Sequence, residues 1–183
     1  MNAAMEVRSA HVEQEGVPKT LAEFMALALA MEREAAQRYA EFGDAMETHN
    51  NVEVAELFRR MATIEAGHAQ AIMTQMGWRD PPAVASDPWL DAIEGPETPR
   101  GDDVHYLMQP WHALAIALAC EERAERFYER LAAMANEPAV RDAARELQRE
   151  EHEHVALVRR WMDKVEKPAE GWGVDPDPPR YTD

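Results

Sequence analysis

The feature that most constrains this chain is an internal repeat whose apolar seams are interrupted, half-way along, by carboxylates. At an offset of 89, Ala28, Leu29, Ala30, Glu32, Ala35 and Tyr39 match Ala117, Leu118, Ala119, Glu121, Ala124 and Tyr128. At an offset of 86, Met61, Glu65, His68, Ile72 and Met76 match Leu147, Glu151, His154, Val158 and Met162. Within each segment the apolar positions recur at threes and fours, the spacing of a helix that buries one face. Two copies of a helical hairpin predict an all-α, four-helix bundle with pseudo-twofold symmetry.

The punctuation agrees. Thr20-Leu-Ala-Glu23 reads as a capping box opening the first helix, which runs to about Thr48; a second runs from about Val52 to Met76 and stops at Gly77. A third begins near Pro110 and reaches about Ala135, and a fourth starts at Asn136-Glu137-Pro138 and reaches about Val165. Residues 77–109 hold five prolines and form a long connection, with one short helical turn expected near Trp89-Leu90. Such a length needs a reason, and a crossover running back along the bundle supplies one. The chain thus divides into a loose leader (1–19), the bundle (20–166) and an irregular acidic, proline-rich tail (167–183).

A formal charge of −16 argues against a nucleic-acid or anionic-membrane binder, which needs a basic face. No apolar run approaches a membrane span, no secretory signal is read at the start, and the cytoplasm is the expected compartment. The lone Cys120 excludes a disulfide framework and any all-cysteine metal site within this sequence.

The seams carry the chemistry. Glu32 and Glu121 sit mid-seam on the first and third helices, and Glu65-x-x-His68 and Glu151-x-x-His154 on the second and fourth. Four carboxylates in one core layer cannot all stay ionised without compensation. Two divalent cations resolve this, their four positive charges offsetting four negative ones while both imidazoles bind neutral. The i, i+3 spacing places each Glu and His on one helix face. Mixed carboxylate and imidazole ligation suits iron or manganese better than copper(I), calcium or magnesium.

The Glu32-x-x-Ala35-x-x-x-Tyr39 … Glu65-x-x-His68 half, repeated as Glu121-x-x-Ala124-x-x-x-Tyr128 … Glu151-x-x-His154, resembles the ferritin-like superfamily. Within it the pattern is most similar to the rubrerythrin-like di-iron proteins, over residues 20–166. The resemblance implies two iron ions, with manganese or zinc as substitutes. Glu65 and Glu151 would bridge them, Glu32 and Glu121 would be terminal ligands, and His68 and His154 would cap one ion each. Tyr39 and Tyr128 would donate hydrogen bonds to ligand carboxylates. Two departures stand out. One cysteine cannot build the rubredoxin-like iron site of rubrerythrins proper, and Ala124 replaces the extra glutamate of their third helix. Glu125, one step further, is the candidate to take its place, and Glu122 the weaker one.

The resemblance implies a non-haem oxidoreductase that reduces H2O2 or O2 at the metal centre, Glu32, Glu65, Glu121 and Glu151 carrying the chemistry. An external donor, rubredoxin-like or a reductase, would supply electrons, and a homodimer is the expected assembly. Two readings compete: a ferroxidase or iron-storage subunit, and a non-catalytic module that metals only stabilise. The remaining residues read plainly. Cys120 is a small buried hydrophobe, His152 lies on a solvated face, and His112 is structural. His49 and His105 belong to turn and loop, and Trp172 and Tyr181 are tail aromatics that either dock on a neighbouring subunit or stay irregular.

Overall fold

The computed structural model describes residues 17–84, 99 and 104–173. These form four helices and, among the described residues, no strand: α1 (Leu21–Thr48), α2 (Val52–Met76), α3 (Pro110–Met134) and α4 (Pro138–Met162). The expected turn at Trp89-Leu90 and the place of Tyr181 lie outside the described residues.

Local chemistry sets each boundary. Thr20 accepts the Glu23 amide at 3.2 Å, while the Glu23 carboxylate reaches past it to the Lys19 amide at 2.8 Å, so the reciprocal half of the box lands one residue early. The α1–α2 turn passes through Asn50 at φ 57°, a left-handed conformation that asparagine tolerates. Gly77 ends α2 at φ 65° and donates to the Met73 and Thr74 carbonyls; a side chain there would be strained by conformation, not by crowding. Gly43 serves differently: a Cβ would come within 3.0 Å of Arg59 Cγ and 3.3 Å of the Ala55 carbonyl, so its absence lets α1 and α2 close up. α4 stops at Met162, short of the expected Val165. The chain tightens there, with Lys164 and Val165 donating to carbonyls three residues back, and Val165 still packs against the core.

α1 packs along α2, and α3 along α4. Asn51, capping the start of α2, donates its side-chain amide to the Met108 carbonyl at 2.7 Å, just before α3. The two helices therefore start at the same end of the bundle, and the connection must return the length of α2, about 37 Å at 1.5 Å per residue. The crossover follows from that.

Two apolar clusters fill the interior. One joins the start of α1 (Phe24, Met25, Ala28), the end of α2 (Ala69, Ile72), the end of α3 (Phe127, Tyr128, Leu131) and the start of α4 (Val140, Ala144, Leu147). The other joins the opposite ends: Tyr39, Phe42, Phe58, Met61, Leu114, Ala117 and Val158. Between them lies a polar layer one or two turns thick. Four carboxylates, Glu32, Glu65, Glu121 and Glu151, are the buried charged residues of the described chain, at 2%, 5%, 5% and 3% exposure.

Candidate metal centre

The six residues drawn from the seams fall into two groups, Glu32 with Glu65 and His68, and Glu121 with Glu151 and His154. Within each group one donor atom per residue lies within 4.8 Å of the others, close enough to share one ion. His68 Nδ1 is 3.2 Å from Glu65 Oε2 and 3.5 Å from Glu32 Oε2. His154 Nδ1 repeats this at 3.4 Å from Glu151 Oε2 and 3.5 Å from Glu121 Oε2. In both triads Nδ1 is the ring atom facing the carboxylates, so Nδ1 is the nitrogen that would ligate. The His68 and His154 rings stack, centroids 4.5 Å apart and planes within 6°, which joins the triads into one layer.

Electrostatics show what this layer lacks. Burial pushes Glu65 up to about 7 and Glu151 to about 8, against the pull of the neighbouring imidazoles, and the Glu121 charge adds to the rise at both. Burial alone would lower His68 and His154, but the carboxylates on either side of each ring outweigh it. They raise His68 to about 10 and His154 to about 11. Protons thus do the compensating: each imidazolium sits where a cation would, between two carboxylates. The arrangement is imperfect, since two stacked cationic rings oppose each other, and Glu32 Oε2 is buried without a hydrogen bond. A divalent ion in each triad would satisfy Glu32, neutralise the layer and let both rings bind uncharged, so the donor set fits two metal ions.

The other sequence candidates are placed less simply. Tyr39 is buried and its hydroxyl has no hydrogen-bond partner, so the donation to a carboxylate expected of it is not made here. Burial and the nearby Cys120, Glu121 and Glu65 keep that phenol firmly protonated. Tyr128 is buried edge-on to Phe24, centroids 6.1 Å apart. Ala124, fully buried, leaves no third-helix carboxylate at its position. Glu125 belongs to neither triad: its Oε1 lies 2.9 Å from His152 Nδ1, on the outer side of α3 and α4. Glu122 also turns outward, accepting from Arg159 at 2.7 Å. Cys120 is buried, its thiol pushed up to about 11 by burial, and takes a hydrogen bond from Arg123 at 3.2 Å.

Access lies on the α2 and α4 side. The His68 and His154 side chains are 26% and 20% exposed, while the four carboxylates beside them are buried.

Sequence reasoning missed two features. Gln109 and His112 cap α3 reciprocally, Gln109 donating its backbone amide to His112 Nδ1 at 3.0 Å; glutamine is a poor predictor of such a cap. Trp172 lies tilted against His112 of its own chain, centroids 3.7 Å apart and planes at 38°. The His-Trp pairing carried no periodic signal.

No helix among the described residues is long and apolar enough to cross a membrane. Comparison with known proteins agrees with the site. A search among curated proteins finds no match. Among solved structures, an uncharacterized conserved protein from Magnetospirillum magnetotacticum MS-1 is 38% identical, with a TM-score of 0.62 over 82% of this chain and 98% of that one. The rubrerythrin family model matches residues 23–89 and 112–182, a span that takes in all six residues of the two triads. A duplicated hairpin, a buried carboxylate layer and that match together place the chain in the rubrerythrin family.

Proposed function

We propose that this protein is a non-haem di-iron oxidoreductase that reduces hydrogen peroxide or dioxygen with electrons from a separate donor. The observation that carries the reading is the pair of matched Glu-Glu-His triads joined by stacked histidines in one largely buried layer. Glu32, Glu65 and His68 would hold one iron and Glu121, Glu151 and His154 the other, with Glu65 and Glu151 able to bridge. When bound, two ferrous ions supply the two electrons that reduction of a peroxide takes up.

The chain's own groups do the rest. The proton held between His68 Nδ1 and the Glu32 and Glu65 carboxylates, and its counterpart at His154, leave as metal arrives. The apolar clusters flank the layer on either side, and the partly exposed His68 and His154 rings are its contact with solvent. Tyr39 stays neutral, its hydroxyl free to donate to a carboxylate that shifts when the ions change charge. One cysteine cannot form a four-cysteine iron site, so in this reading the electrons for re-reduction come from outside the bundle.

Anaerobic loading with Fe(II), metal analysis, and stopped-flow mixing with H2O2 or O2 test this. Two irons per chain and faster oxidation by H2O2, followed by a halt until a donor is added, are expected. Faster oxidation by O2, with retention of many more irons per chain, would replace this reading with iron storage.

A further inference from the structure

The second hairpin carries a pair that the first lacks. Glu125 Oε1 and His152 Nδ1 lie 2.9 Å apart across α3 and α4, where the repeat puts Ala36 and Ala66 in the first hairpin. Glu125 is one turn along α3 from Glu121, and His152 follows Glu151 directly. The pair runs from the solvent inward: the His152 side chain is 72% exposed and that of Glu125 is 27% exposed. The neighbouring acid Glu122 is engaged by the Arg159 and Arg126 guanidinium groups, whereas Glu125 faces an imidazole, which can itself ligate. Oxygen and nitrogen ligands about 2.0–2.2 Å from one ion, at right angles, stand about 2.8–3.1 Å apart, so these two atoms already hold a chelating spacing.

We propose that Glu125 and His152 form an outer acceptor for a divalent cation, from which the ion passes inward to Glu121, Glu151 and His154. This rests on the dinuclear reading and adds an order to it: the second triad loads before the first. A carboxylate and an imidazole on the helix surface one turn from Glu121 raise the local concentration of cation there, while the first triad would draw its ion from bulk solution past Ala36 and Ala66.

The test is anaerobic stopped-flow addition of Co(II) to the metal-free protein, followed by visible absorption and by cobalt content after desalting. The unaltered protein should take up two ions in a fast and a slow phase, separated by about tenfold or more. Glu125→Ala with His152→Ala should still retain two ions but lose the fast phase, both loading at the slower rate. Alanine suits both helical positions, the exposed His152 and the partly exposed Glu125, and keeps the fold. Ala36→Glu with Ala66→His should do the opposite and speed the slow phase. A fast phase that survives the Glu125/His152 substitutions, or equal phases in the unaltered protein, would overturn the acceptor role alone. Failure of the unaltered protein to retain two ions would overturn the dinuclear reading and this proposal with it.

Discussion

The two hairpins of this bundle agree in the buried layer and differ on either side of it. Glu32, Glu65 and His68 are matched position for position, and nearly distance for distance, by Glu121, Glu151 and His154. Around them the halves diverge: Phe58 stands where Ala144 does, Phe24 where Ala113 does, Met31 where Cys120 does, Ala36 where Glu125 does. In each packing pair the first hairpin has the larger side chain, and Phe58 and Ala144 are both fully buried. A core fills as long as total volume is kept, so size can move from one half to the other. The six buried Glu and His positions are not traded in that way: each hairpin keeps its own complete set of three.

If the ligand layers are equivalent, Glu65→Ala and Glu151→Ala should fail alike. Each should lower metal content below two per chain and reduce the melting temperature. Saturation of one site at about a thousand times its Kd contributes about 4 kcal/mol, which sets the scale of the loss. Metal analysis with thermal melts checks this, and one variant keeping both ions would break the equivalence.

The metal-free protein should respond to pH in a defined direction. Glu65 and Glu151 rise from an ordinary 4.5 to about 7 and about 8, so the folded chain holds their protons more tightly than the unfolded one. Their contribution is complete below about 4.5 and is lost as pH rises through 7 to 8. His68 and His154, raised from 6.5 to about 10 and about 11, add a contribution that begins to fade above 6.5. All four act in one direction, so without metal the melting temperature should be higher at pH 5 than at pH 8. The metal-loaded protein should show the reverse, because protons compete with the ions. Parallel curves for the two forms would show that protons and metal do not share these sites.

Unequal packing predicts unequal costs at equivalent positions. Phe58→Ala should destabilise by about 3–5 kcal/mol, whereas Ala144→Gly should cost about 1 kcal/mol. Denaturant melts on the metal-free chain separate the two, and similar losses would show that the halves share volume less unequally than their side chains do.

Tyr39→Phe should have the smallest effect on the metal-free fold. Its hydroxyl has no partner, so removal should change stability by less than about 1 kcal/mol, in either direction. A drop in metal retention with unchanged metal-free stability would show that the hydroxyl finds its carboxylate only when the ions are in place.

The four helices and the buried layer of glutamates and histidines were legible because each rests on a strong periodic signal: seams at threes and fours, Gly77 and Pro138 at boundaries, and a repeat that places each Glu and His of the layer twice. What escaped was side-chain choice outside the seams. Glu125 has the right type one residue from the expected place, yet a step of one turns a helical side chain by about 100°, and it meets His152 instead. Trp172 on His112 and the Gln109–His112 cap depend on where an irregular segment meets a helix end, which no period encodes. The early stop of α4 depends on three-residue turns that still leave Val165 packed against the core.

Neither triad crosses the boundary between hairpins. Glu32, Glu65 and His68 all come from α1 and α2, and Glu121, Glu151 and His154 all from α3 and α4. Each hairpin therefore carries a complete three-donor set before it meets the other, and the long connection serves to keep the two at high effective concentration. A single hairpin, paired with a copy of itself, would present the same six donors that this chain presents once.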